Sequence, residues 1–214
     1  MILEMKTSNS FSTFGGIALI VSGVLFLAQS LFLLPVPGPP LADSDLLSWL
    51  QDWKLHFAMA DELLFFATLG VIPSIIVLYR LAKTAQAQTL LACGIMAIIL
   101  PVNMVIVVIL GRLAYPVYGI ELDAESYRLL LSLYYGGVHT VALLWSAAVI
   151  LICFVIRKSP LGKTVAYFGF AAGILQLVGA YPWLFNNVTI FVAQLMLCVW
   201  FVMLGIRMIG RRLE

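Results

Sequence analysis

Charge is the scarcest commodity in this chain: Asp, Glu, Lys and Arg make up 10% of its 214 residues, against roughly a quarter in soluble globular domains. With 63% hydrophobic residues and a mean hydropathy of +1.09, it cannot cover itself with a water-compatible surface, and it belongs in lipid. The formal net charge is only +2, and the basic residues form no stripe, which excludes nucleic acid as a partner. Only two histidines are present, His56 and His139, in no recognised zinc spacing, and this scarcity argues against a bis-histidine haem. The three cysteines, Cys93, Cys153 and Cys198, all lie in apolar runs and read as buried hydrophobes instead of disulfide partners.

What is abundant is long apolar sequence. Six stretches, residues 14–34, 56–79, 89–113, 134–156, 164–183 and 188–208, each approach the ~20 residues needed to cross the hydrocarbon core as helix. They predict an all-α, six-transmembrane-helix bundle forming a single membrane domain over residues 1–214. The first run is followed by no small-residue cleavage site and is expected to stay as an anchor. Prolines 35, 37, 39 and 40 with Gly38 end the first run, since proline cannot supply the donor that continues a helix.

Orientation follows from the short loops. Lys6, Arg80, Lys83, Arg157, Lys158, Lys163, Arg207, Arg211 and Arg212 fall on one side, and only Lys54, Arg112 and Arg128 on the other. The basic side is expected to be cytosolic with both termini, in a cell (inner or plasma) membrane. Acidic loops carrying Asp43, Asp45, Asp52, Glu121, Asp123 and Glu125 then face outward. Apolar positions at helical spacing in 44–57, and Asp123 as an N-cap for 124–132, predict two short interfacial helices over the outer mouth.

Gly169 and Gly173 stand at GxxxG spacing in the fifth run, where small residues let helices approach closely. Packing within the bundle and a homodimer through this face are both open readings. The first three runs show no echo in the last three, so an inverted-repeat transporter is not supported.

Polar residues inside lipid carry the functional signal. Gln29, Asp61, Glu62, Asn103, His139, Gln176 and Gln194 lie in the six runs at one level, roughly 7 to 13 Å below the outer boundary at 1.5 Å rise per residue. The cytosolic half has nothing comparable. Such groups are costly against lipid and should turn toward one another, which predicts a polar cavity opening outward. The leading expectation is a small or amphiphilic ligand bound there by a receptor, carrier or resistance-type protein. In that reading Glu62 or Asp61 supplies charge, and His139 with the amides Gln29, Asn103, Gln176 and Gln194 orients the ligand. A second reading makes Asp61, Glu62 and His139 the general acid and base, or makes Glu62 and His139 zinc ligands, of an intramembrane enzyme. A third makes the chain an accessory subunit whose polar layer only ties helices together. No cofactor is expected under the leading reading.

The cytosolic turn Ser159, Pro160, Leu161, Gly162, followed by the small-residue helix through Gly169 and Gly173, resembles the corresponding hairpin of bacterial six-span integral membrane proteins of unknown function. The likeness covers the last third of the chain. It implies a bacterial inner-membrane protein of similar topology and transfers no catalytic residue.

Overall fold

The computed structural model describes residues 2–81, 86–120 and 122–209. Lys83, Glu121, Arg211 and Arg212, which enter the orientation argument, lie outside the described residues, as does the side chain of Lys6. Six α-helices follow one another: α1 (Ile2–Leu33), α2 (Asp43–Leu81), α3 (Gln86–Ala114), α4 (Ala124–Ile156), α5 (Lys163–Gly179) and α6 (Asn187–Met208). Among the described residues, five helices are long and apolar enough to cross a membrane, in α1, α2, α3, α4 and α6, while α5 is apolar but shorter, at 17 residues. The chain is therefore an all-helical membrane protein.

Three of the helices start earlier than the sequence reading expects: α1 at Ile2 instead of residue 14, and α2 and α4 well ahead of residues 56 and 134. Residues 44–57 do not form a separate interfacial helix but are the first turns of α2, whose 39 residues extend roughly 58 Å at 1.5 Å per residue, far beyond a ~30 Å hydrocarbon core. The physical reason is that no glycine or proline stands between Leu41 and Leu69, so nothing stops the helix from running out into the interface. Residues 124–132 are likewise continuous with α4. Asp123 is its N-cap, accepting a 2.9 Å hydrogen bond from the Ser126 N–H.

The Ser126 hydroxyl and backbone N–H hold the Asp123 carboxyl below the ordinary carboxylate range. Because this value is depressed in the folded protein, the cap's contribution is present above the unfolded pKa and is lost as pH falls through the folded one. The protection of first-turn amides of α4 against hydrogen exchange, taken relative to the intrinsic rate at each pH, should therefore fall on acidification below about pH 4, and Asp123→Ala should abolish that fall.

Each helix packs on its sequence neighbours, and α6 closes back onto α1, so the six form a ring. The closure is antiparallel. At one end Ser12 Oγ donates to the Met208 carbonyl at 2.7 Å, and at the other Asn187 Nδ2 donates to the Leu34 carbonyl at 3.3 Å. Between them Gly16 and Gly205 face each other so closely that a Cβ on either would stand 2.6 Å from the other's carbonyl oxygen. Small residues are what permit such an approach where lipid offers no hydrophobic drive for association.

The Gly169 and Gly173 face is filled from within the chain. A Cβ at Gly169 would collide with Cys153 Sγ and Trp200 Nε1, and one at Gly173 would meet Ile150 at 2.7 Å. Here the intramolecular packing reading accounts for the motif.

A ring of six helices leaves more axial space than aliphatic side chains fill. In the half nearest the 157–162 turn the axis is plugged by aromatic rings: Trp145, Phe26 and Trp200 all pack against Phe201 with centroids 5.1 to 6.1 Å apart. Leu19, Val71, Ile75, Met96 and Leu204 surround a small apolar void of about 10 Å³ just beside this plug. The other half of the axis stays open.

Candidate functional site

The open half of the axis is a cavity of about 170 Å³, and all six helices contribute to its wall. Its base is Trp145, Phe26 and Leu64, and Val36, Phe57 and Phe191 stand among the apolar residues of its wall. Val36 is 7% exposed. It belongs to the segment unwound by Pro35 and Pro37, which Asn187 of α6 holds in place by donating to the carbonyls of Leu34 and Val36.

Between base and mouth lies a belt of uncharged polar groups. Four of the seven residues singled out from the sequence meet here: Gln29 of α1, Asn103 of α3, Gln176 of α5 and Gln194 of α6. Asn103, 2% exposed, donates Nδ2 to Thr68 Oγ1 at 3.1 Å, and Thr68 donates to the Leu64 carbonyl at 2.7 Å. Gln176, 3% exposed, donates Nε2 to the Ala193 carbonyl at 3.1 Å and to Gln194 Oε1 at 3.3 Å. Gln29 accepts a long 3.5 Å contact from Ser30 Oγ. These bonds consume only part of the amides' capacity. Gln29 Nε2, Gln194 Nε2, Asn103 Oδ1 and Gln176 Oε1 make no hydrogen bond among the described residues.

Five further polar residues that the sequence reading does not single out line the cavity: Ser30, Asn187, Tyr134, Tyr135 and Trp145. Tyr134 and Trp145 are 8% and 3% exposed. Like the free amide atoms, the Tyr134 hydroxyl and the Trp145 N–H have no hydrogen-bond partner among the described residues, yet neither is among the sealed, unsatisfied atoms of the interior. Aromatic residues amid apolar sequence read as core. The signal that separates these from packing residues is their helical register, since Tyr134, Tyr135, Val138, Val141, Ala142 and Trp145 form one face of α4 and all line the cavity.

The ionisable residues stand elsewhere, which corrects the expectation that Asp61, Glu62 and His139 share the chamber with the amides. None of the three lines the cavity. Asp61, 7% exposed, points from α2 at α3, with its Oδ2 3.2 Å from where a Gly111 Cβ would sit. Its Oδ1 is sealed and has no hydrogen-bond partner among the described residues.

Glu62 is exposed and accepts a 3.3 Å hydrogen bond from the Tyr115 hydroxyl. Burial and the Glu62 carboxylate hold that phenol above its ordinary range. His139 packs between Tyr181 and Trp183, ring centroids 5.1 and 5.2 Å away, and its Nδ1 lies 2.6 Å from the Ala180 carbonyl. Asp61 thus faces α3 without a hydrogen bond among the described residues, Glu62 is bonded from the loop after α3, and the imidazole lies at the end of α5. Among the described residues no three His, Cys, Asp or Glu side chains gather as a metal-binding group.

What the arrangement can do chemically is hold and orient an uncharged group, because the belt offers donors and acceptors without a fixed charge. No protein-family model, curated protein or solved structure matches the chain.

Proposed function

We propose that the chain is a six-span protein of the cell membrane, with both termini cytosolic, that binds a small or amphiphilic ligand in its axial cavity from the outer side, as a receptor, carrier or resistance-type protein. Support for the sixth span comes from the ring. The end of α4 and the start of α5 share the basic 157–163 turn, while α6 begins beside the 34–36 segment at the opposite end, and in this reading α5 covers the distance between them. Its 17 residues give roughly 26 Å of helix, short enough to require local thinning of the bilayer. The basic turns mark the cytosolic end by the positive-inside rule.

The single observation that carries the binding reading is a largely buried cavity at the ring's axis with unused hydrogen-bonding capacity from several helices. Well-formed, mostly apolar cavities with a few convergent polar groups are where ligands bind. A structural tie would instead leave the amides saturated by one another. In a thermal-shift screen of the purified chain against lipids and hydrophobic compounds, at least one uncharged compound should stabilise it. That stabilisation should be weakened about tenfold in apparent affinity by Gln29→Leu combined with Gln194→Leu. Glu62→Gln should leave it intact, since Glu62 lies off the cavity. A screen without any stabilising compound would favour the accessory-subunit reading.

A further inference from the structure

The free valences of the cavity are unequal, and the inequality selects a ligand, provided the binding reading above holds. No Asp, Glu, Lys, Arg or His lines the cavity, so an ion entering it would be stripped of water with no opposite charge to meet. At the base, the Trp145 indole can only donate a hydrogen bond, and it has no acceptor among the described residues although the residue is 3% exposed. Three turns nearer the mouth on α4 the Tyr134 hydroxyl is also unpartnered among the described residues, and in the belt the amide nitrogens of Gln29 and Gln194 are free donors.

A pure hydrocarbon would bury these donors unmet. A ligand with acceptor oxygens at two points, one low and one in the belt, would satisfy both. Size narrows the class further: a volume of about 170 Å³ is close to the ~150 Å³ of an apolar cavity that holds one benzene ring. The aromatic and aliphatic wall formed by Phe26, Phe57, Phe191 and Val141 suits a flat ring.

We propose that the cavity takes an uncharged single ring bearing carbonyl oxygens, a quinone-type head whose tail, where it has one, leaves through the mouth beside Val36. The Trp145 N–H meets one carbonyl at the base. The amides of Gln29 and Gln194 meet the other. Asn103 Oδ1 and Gln176 Oε1 remain to accept from hydroxyls, which also admits the phenolic, reduced form of the same ring.

The test is calorimetric titration of the full chain in detergent with three probes of one shape: tetramethylbenzoquinone, tetramethylbenzene and trimethylbenzoate. The quinone should bind about tenfold more tightly than the hydrocarbon, and the anion should not bind. Trp145→Phe keeps a ring at the base but removes the N–H. It should weaken the quinone about three- to tenfold and leave the hydrocarbon unchanged, and Gln29→Leu should do the same from the belt side. Equal binding of quinone and hydrocarbon, or indifference of both variants, overturns the ligand class while cavity binding stands. Failure of all three probes while other uncharged amphiphiles stabilise the protein also overturns the class alone. Failure of these probes and of every other compound overturns the binding reading itself.

Discussion

A leucine in place of Gly205 should lower stability in detergent by about 3 kcal/mol, the upper range for overpacking a close contact. For a chain of this size that corresponds to a fall in Tm of roughly 6 to 12 °C. The expectation rests on what a side chain would meet there. The Gly16 carbonyl oxygen lies 2.6 Å from the position of a Cβ at Gly205, and Ile20 Cγ1 lies at 2.7 Å. Backbone cannot rotate aside as a flexible side-chain end can, so α1 and α6 must separate and the ring must open at its closure.

Two controls separate this from helix propensity. Gly94 and Gly136 sit in α3 and α4 with nothing within 4 Å of an added Cβ, and alanine at either should be neutral or stabilise by up to about 1 kcal/mol. Thermal unfolding of the three variants side by side is the measurement. A Gly205→Leu protein as stable as the parent would mean that α1 and α6 are not in contact.

The second large effect is at the base of the cavity. Trp145→Ala should cost about 3 to 5 kcal/mol, as removal of a buried aromatic ring does when its surroundings cannot collapse. Trp145 borders both the axial cavity and the small void beside it, so the truncation joins the two. Its ring also packs edge-on against Phe201 at 5.1 Å, and that contact is lost with it. The joined cavity should accept larger hydrophobic compounds than the parent does, and bulky aromatic compounds should restore much of the lost Tm. Trp145→Phe, which keeps a ring, should retain most of the stability. A full loss in the phenylalanine variant would assign Trp145 a role other than filling the axis.

The fold was largely legible because each helix declares itself by length and apolarity, which depend on a contiguous run of residues and not on partners. The misjudged boundaries, clearest at the start of α2, show where that reasoning stops: hydropathy locates hydrocarbon, whereas a helix ends only where glycine, proline or a cap ends it, and no glycine or proline stands between Asp43 and His56. The site divides along a similar line. Gln29, Asn103, Gln176 and Gln194 were legible because an amide in lipid has little to gain except from other polar groups. Depth, however, says nothing about direction around a helix.

Asp61 and Glu62 share the level of the amides but look toward α3, where Gly111 leaves room for one and Tyr115 reaches the other. His139 lies on the face of α4 that also carries Tyr135 and Ala142, yet its ring turns to the Ala180 carbonyl that the short α5 leaves at its end. Neither Gly111 nor Ala180 carries any signal in sequence that it would be such a partner. Trp145 and Tyr134 were hidden for the opposite reason, since a buried aromatic is ordinary until the structure shows that its polar atom has nothing to bond.

The central claim is a polar cavity on the axis of the ring, entered from the side opposite the basic turns. Single cysteines at Gln194 and Leu204, on one helix in a background whose three native cysteines are replaced, test it in intact cells with a small membrane-impermeant thiol reagent. The account predicts that Gln194→Cys is labelled from outside and protected by a bound ligand, while Leu204→Cys, fully buried in the plugged half, is not labelled. Equal labelling of both, or labelling of Gln194→Cys only from the cytosolic side, would contradict it.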